Sequence, residues 1–103
     1  MPTPPPSTVP DLPLKTALPA IGDLRRWAIL RELASGDQLM VVEIAERIRL
    51  PATTVSKHLA ILRDAGIVAQ ARSRLYQIKP QFLADRDQRI VDLGWCTLRM
   101  NTE

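Results

Sequence analysis

Two short apolar repeats at helical spacing stand close together in the chain, and that pairing constrains the fold more than any other feature. Val41, Ile44, Ala45 and Ile48 recur at i, i+3, i+4 and i+7, the signature of an amphipathic helix. Val55, Leu59 and Leu62 form the inner stripe of a second helix beginning near Ala52. Pro51 lies between them and disfavours helical geometry at Leu50, so the first helix ends around Arg49-Leu50-Pro51 and a tight turn follows. Two short helices joined in this way are the parts of a helix-turn-helix.

The flanking residues extend the pattern. Leu24 to Ala34 reads as a helix that is apolar on most sides and therefore buried. It is stopped by Ser35-Gly36-Asp37. Gly66 is placed to end the helix that begins near Ala52, with Ile67 positioned for the apolar contact of a Schellman-type end. Two extended runs follow, Ile67–Ala71 and Leu75–Ile78, and the turn between them is Arg72-Ser73-Arg74. After Pro80 the sequence predicts a long helix to about Met100. Leu83, Ile90, Leu93, Cys96 and Met100 share one face of that helix. Val91, Trp95 and Leu98 form a second apolar strip on it. A terminal helix with two apolar faces buries one in its own domain and offers the other to a partner, so these five residues are the expected homodimer interface.

Seven of the nine prolines lie in residues 1–19, which lack apolar periodicity. A proline-rich arm over residues 1–14 and one domain over 15–103 is the resulting division. The arm reads as a disordered tail or, alternatively, as a proline-motif ligand for another protein.

Charge narrows the function. The whole chain carries +3 at pH 7, but residues 51–79 hold Lys57, Arg63, Arg72, Arg74 and Lys79 against Asp64 alone. A local cationic surface of this kind suits a polyanion. On the helix from Ala52, Thr53, Ser56, Lys57, Ala60 and Asp64 point away from the apolar stripe at 100° per residue. Hydroxyls, one cation and a small alanine suit a helix whose first turns enter a major groove. Arg72 and Arg74 sit where a hairpin tip would grip phosphates or a flanking minor groove. His58, on the margin of the stripe, is either a half-buried histidine or a further DNA contact. With a single cysteine and a single histidine, the chain offers no intrachain disulfide and no cysteine-based zinc cage, and no nucleophile motif supports an enzyme. Cys96 reads as a small buried hydrophobe, with a redox role as the alternative.

The stretch Val42-Glu-Ile-Ala-Glu, followed by Thr-Thr-Val-Ser-Lys-His-Leu-Ala-Ile-Leu-Arg-Asp-Ala-Gly-Ile-Val at 53–68, closely resembles the winged helix-turn-helix of ArsR-type bacterial transcription repressors. The resemblance implies a cytoplasmic homodimer that binds double-stranded DNA at a palindromic operator and leaves it when an inducer acts. It maps recognition-helix contacts onto Thr53, Thr54, Ser56, Lys57 and His58, and wing contacts onto Arg72 and Arg74; Arg63, from the cationic stretch 51–79, is counted with the expected DNA-binding residues. The sequence departs from the family's pattern in three places. Met40 and Val42 stand where metal-sensing members carry Cys-x-Cys, so no thiolate site is expected there and no metal or other cofactor is implied. Arg49 stands where the turn often has Gly, and the wing is short and lacks its tip Gly. The expected fold is thus mainly α with a small β-hairpin, a winged helix-turn-helix dimerised through terminal helices. Its expected function is transcriptional repression without enzymatic or membrane roles. The alternative is a winged-helix interaction module that does not bind DNA.

Overall fold

A computed structural model describes residues 12–100. The chain runs α1 (Leu14–Ile21), α2 (Leu24–Leu33), β1 (Leu39–Met40), α3 (Val41–Ile48), α4 (Ala52–Asp64), β2 (Val68–Arg72), β3 (Leu75–Ile78), a 3-10 turn at Pro80–Phe82, β4 (Leu83–Asp85), β5 (Ile90–Asp92) and β6 (Thr97–Arg99). No helix among the described residues is long and apolar enough to cross a membrane.

Local chemistry sets the helix boundaries. The Asp23 carboxylate accepts from the backbone N–H of Arg25 (2.8 Å) and Arg26 (3.3 Å) and so caps α2. Desolvation pushes its pKa upward, but those two N–H donors and the Arg26 charge outweigh it and hold the carboxyl below its ordinary value. At the start of α3, the Glu43 side chain accepts from the Met40 N–H at 2.9 Å. The α3 helix ends at Arg49 in the left-handed conformation (φ 59°, ψ 46°), the position where a glycine is commonest. The α4 helix ends as expected. Gly66 has φ +87°, its N–H reaches the Arg63 carbonyl, and the Ile67 N–H reaches the Leu62 carbonyl at 3.1 Å. This is the Schellman pattern, with Leu62 and Ile67 both fully buried.

Helices α2, α3 and α4 enclose a core of Ile29, Leu30, Leu33, Ile44, Val55, Leu59 and Leu62, each at most 1% exposed. Antiparallel strands in the order β1-β3-β2 close one side. The two-residue β1 pairs Leu39 with Tyr76 and Met40 with Leu75, joining the start of α3 to the hairpin.

Two expectations are corrected. Residues 14–19, part of the stretch read as lacking apolar periodicity, begin α1 (Leu14–Ile21), which has Pro19 inside it and buries Ala17, Ala20 and Ile21. Residues 1–11 of the expected arm lie outside the described residues. The predicted helix after Pro80 is instead a second antiparallel sheet, β4-β5-β6. Cys96, Leu98 and Met100 point toward the protein while Thr97 and Arg99 are exposed, a period of two, and Gly94 (φ +96°) turns the chain between β5 and β6. Of the expected dimer residues, Leu93 and Met100 are 0% and 1% exposed in the chain's own core, and Leu83, Ile90 and Cys96 are half-buried. The spacing that suggested one helical face arises from residues on three short strands and their turns. Two contacts seat this sheet. Arg89 Nη1 donates to the Arg31 carbonyl at the end of α2 (2.9 Å), and Trp95 Nε1 donates to the Leu12 carbonyl (2.9 Å).

Candidate nucleic-acid interface

Helix α4 carries its apolar residues on one side, where Val55, Leu59 and Leu62 are fully buried. The opposite side of its first turns presents Thr53, Ser56 and Lys57, all exposed, with Thr54 half-buried beside them. The Pro51 N-cap contributes no side-chain hydrogen bond to the helix start. The sequence-derived outward face is therefore brought together. Arg63 is exposed ten residues after Thr53, about 15 Å along the axis, and its Nε lies 3.6 Å from the Asp64 carboxylate. Both partners are largely solvated, so that pairing adds little energy, while the Asp64 charge offsets that of Arg63.

Arg72 and Arg74 are exposed at the tip of the β2–β3 hairpin. The register passes from Gln70 opposite Tyr76 to Arg72 opposite Leu75 through a bulge, so Ser73 and Arg74 make a two-residue turn. The Gln70 side-chain amide donates to the Ser73 carbonyl and ties the tip down. The wing is short, as its sequence implied, and cationic at its end.

His58 is set apart from the others. It is 6% exposed, on the core side of α4, with Nδ1 3.1 Å from Arg26 Nη1. Of the two readings of His58, a half-buried ring or a DNA contact, the geometry is that of a ring packed within the domain. Burial pushes its pKa below the ordinary histidine value; the Asp23 carboxylate pulls upward, and Arg26, Arg25 and Lys57 push further down. Arg26, to which no sequence motif pointed, also donates from Nε to the Ala20 carbonyl (2.6 Å) and from Nη2 to the Pro19 carbonyl (3.2 Å). Arg26 and His58 are 32 residues apart, and no local periodicity signals such a contact.

Cys96 is half-buried, and burial together with the Asp92 charge raises its pKa, which disfavours the thiolate. Among the described residues no three His, Cys, Asp or Glu side chains gather closely enough to hold a metal ion.

The comparisons agree with this construction. Residues 26–71, which span α2 to β2 apart from the first two residues of α2 and the last of β2, match the model of a helix-turn-helix domain family. The chain is 43% identical over 49 residues to the HTH-type transcriptional regulator MJ1325 of Methanocaldococcus jannaschii, covering 48% of this chain and 55% of that protein. This chain thus spans about half the length of that relative. It is 32% identical over 65 residues to the HTH-type transcriptional regulator YuzN of Bacillus subtilis, covering 57% of this chain and 71% of that protein. Among solved structures, HlyU from Vibrio cholerae superposes with a TM-score of 0.58 at 31% identity, covering 63% of this chain and 73% of HlyU. Its reduced form gives 0.55 at 32% identity, covering 63% and 70%. A buried helix pair, an outward polar face on the second helix and a β-hairpin wing accompany these likenesses, and the chain belongs to the helix-turn-helix transcriptional regulators, a family of regulators rather than enzymes.

Proposed function

We propose that the protein is a sequence-specific DNA-binding repressor that acts as a homodimer on a palindromic operator. The observation that carries this reading is the exposed Thr53, Ser56 and Lys57 face on α4, backed by a fully buried apolar stripe that holds the helix rigidly. In the proposal the N-terminal half of α4 lies in the major groove. Ser56 and Lys57 meet base edges there, while Arg72 and Arg74 meet phosphates or the neighbouring minor groove. Each chain presents one such helix, so a two-fold site requires two chains. Support for a partner comes from α1, where Leu14 and Leu18, one helical turn apart, are 50% and 52% exposed.

Alanine variants separate the two residue classes. Ser56→Ala and Lys57→Ala should each cost about 1–3 kcal/mol on the preferred site and flatten discrimination at particular base pairs. The double variant Arg72→Ala/Arg74→Ala should weaken all sequences alike and reduce the salt slope by roughly one unit for each phosphate no longer neutralised. Unchanged affinity, preference and salt slope in all three variants would refute the assignment.

A further inference from the structure

We infer that Arg26 and His58 together set the pose of the recognition helix, and that protonating His58 releases it. The inference rests on the proposal that α4 reads DNA. His58 is the only polar residue among the described residues to fall within the buried core, and it follows Ser56 and Lys57 directly on α4. Any displacement of its ring is therefore transmitted to the residues assigned to the groove.

The guanidinium fixes the chemistry of the pair. Arginine has donors only and does not lose its proton, so at 3.1 Å the Nδ1 of His58 must offer a lone pair. The ring is then neutral with its proton on Nε2. Arg26 is itself immobilised, because its Nε and Nη2 donate to the carbonyls of Ala20 and Pro19 at the end of α1, where the helix dipole favours a cation. One side chain thus joins α1, α2 and α4. A proton added at Nδ1 replaces an acceptor by a donor facing a donor and brings a second positive charge against Arg26. The charged groups acting on the ring are Asp23, Arg25 and Arg26 from the α2 side and Lys57 from α4, and α1 presents the two carbonyls. Asp23 alone favours the protonation that releases the ring; burial and the three cations oppose it. Because burial and the cations hold the folded-state value below the ordinary 6.5, the lock is complete at neutral pH. It is lost as pH falls below 6.5 through the folded value.

The direction of the effect on DNA is diagnostic. A new positive charge near DNA would by itself tighten binding. The lock predicts the opposite, a loss of affinity on acidification. The experiment uses the full chain and a duplex selected by the wild-type protein from random DNA. Affinity is measured between pH 8 and 5.5, and the sole histidine is followed by NMR without DNA. The expected results are an Nε2–H tautomer at pH 7, α4 amide shifts that move with the ring titration, and affinity that falls below the ring's pKa by up to about tenfold per pH unit for each bound chain. His58→Asn keeps an acceptor near Nδ1 without titrating and should bind with a flatter pH profile. Arg26→Gln should raise the His58 pKa and weaken binding at pH 7 while helical content is unchanged, and Arg26→Lys should not restore it, since one ammonium cannot reach all three acceptors. Affinity that rises or stays level on acidification, or a His58→Asn profile that matches wild type, would overturn the lock. Absence of DNA binding at every pH would refute the DNA reading instead, and the lock would then stand or fall on the tautomer and the α4 shifts.

Discussion

Leu93→Ala tests the C-terminal sheet directly. Leu93 is fully buried at the turn between β5 and β6, in a core that includes Phe82, Val91 and Met100, each 1% exposed, and its N–H donates to the Cys96 carbonyl at 2.9 Å. Truncation removes three buried carbon atoms and leaves a cavity whose walls are strands held by short ladders. Losses for such substitutions run about 2–5 kcal/mol. The whole domain is worth on the order of 5–15 kcal/mol. A loss of ~3 kcal/mol in a domain of this size lowers the melting temperature by more than about 10 °C. Urea unfolding followed by circular dichroism gives the cost, with the m-value checking that the same surface is exposed on unfolding. Thr97→Ala is the matched control on the exposed side of β6 and should stay within about 0.5 kcal/mol of wild type. The reasoning is refuted if Leu93→Ala costs less than ~0.5 kcal/mol while shifting the sedimenting mass, because Leu93 would then face a second chain.

Three further outcomes follow from individual backbone positions. Asp23→Ala should lower the urea midpoint at pH 7 through loss of the α2 cap, and the gap from wild type should close as acid protonates the carboxyl. The sign follows from its depressed pKa, since the stabilisation is present above the ordinary 3.8 and is lost as pH falls through the lower folded value. Arg49→Gly should raise stability by about 0.5–1 kcal/mol in the same assay, by relieving a left-handed residue at the end of α3. Gly66→Ala should cost about 1–2 kcal/mol, since φ is +87° and the added Cβ would lie 3.1 Å from Leu12 Cδ2.

The helix-turn-helix was legible because each of its signals is local. The stripe of Val55, Leu59 and Leu62, the Pro51 break, the Gly66 stop with Ile67 folding back, and the arginine-flanked turn all lie within about 30 residues and agree with one another. The outward set of Thr53, Ser56 and Lys57 follows from the same periodicity. Elsewhere two competing principles won. In α1, burial of Ala17, Ala20 and Ile21 outweighs the helix-breaking tendency of Pro19. In residues 83–100, apolar positions spaced for one face of a helix also alternate over Cys96–Met100, and the β-branched residues, Gly94 and the tight turn before β5 favour strands. The inward position of His58 was not legible, because its partner Arg26 comes from another helix. A marginal position on a helical wheel is decided by what packs against it.

The most direct test of the central claim is selection of random duplex DNA by the pure protein, followed by sequencing, with Ser56→Ala/Lys57→Ala run in parallel. Wild type should enrich one motif with two inverted half-sites about 34 Å apart, one turn of duplex, and the variant should lose that enrichment while retaining salt-sensitive binding to any sequence. Recovery of DNA with no enriched sequence, or the same motif at the same strength from the variant, would contradict that claim.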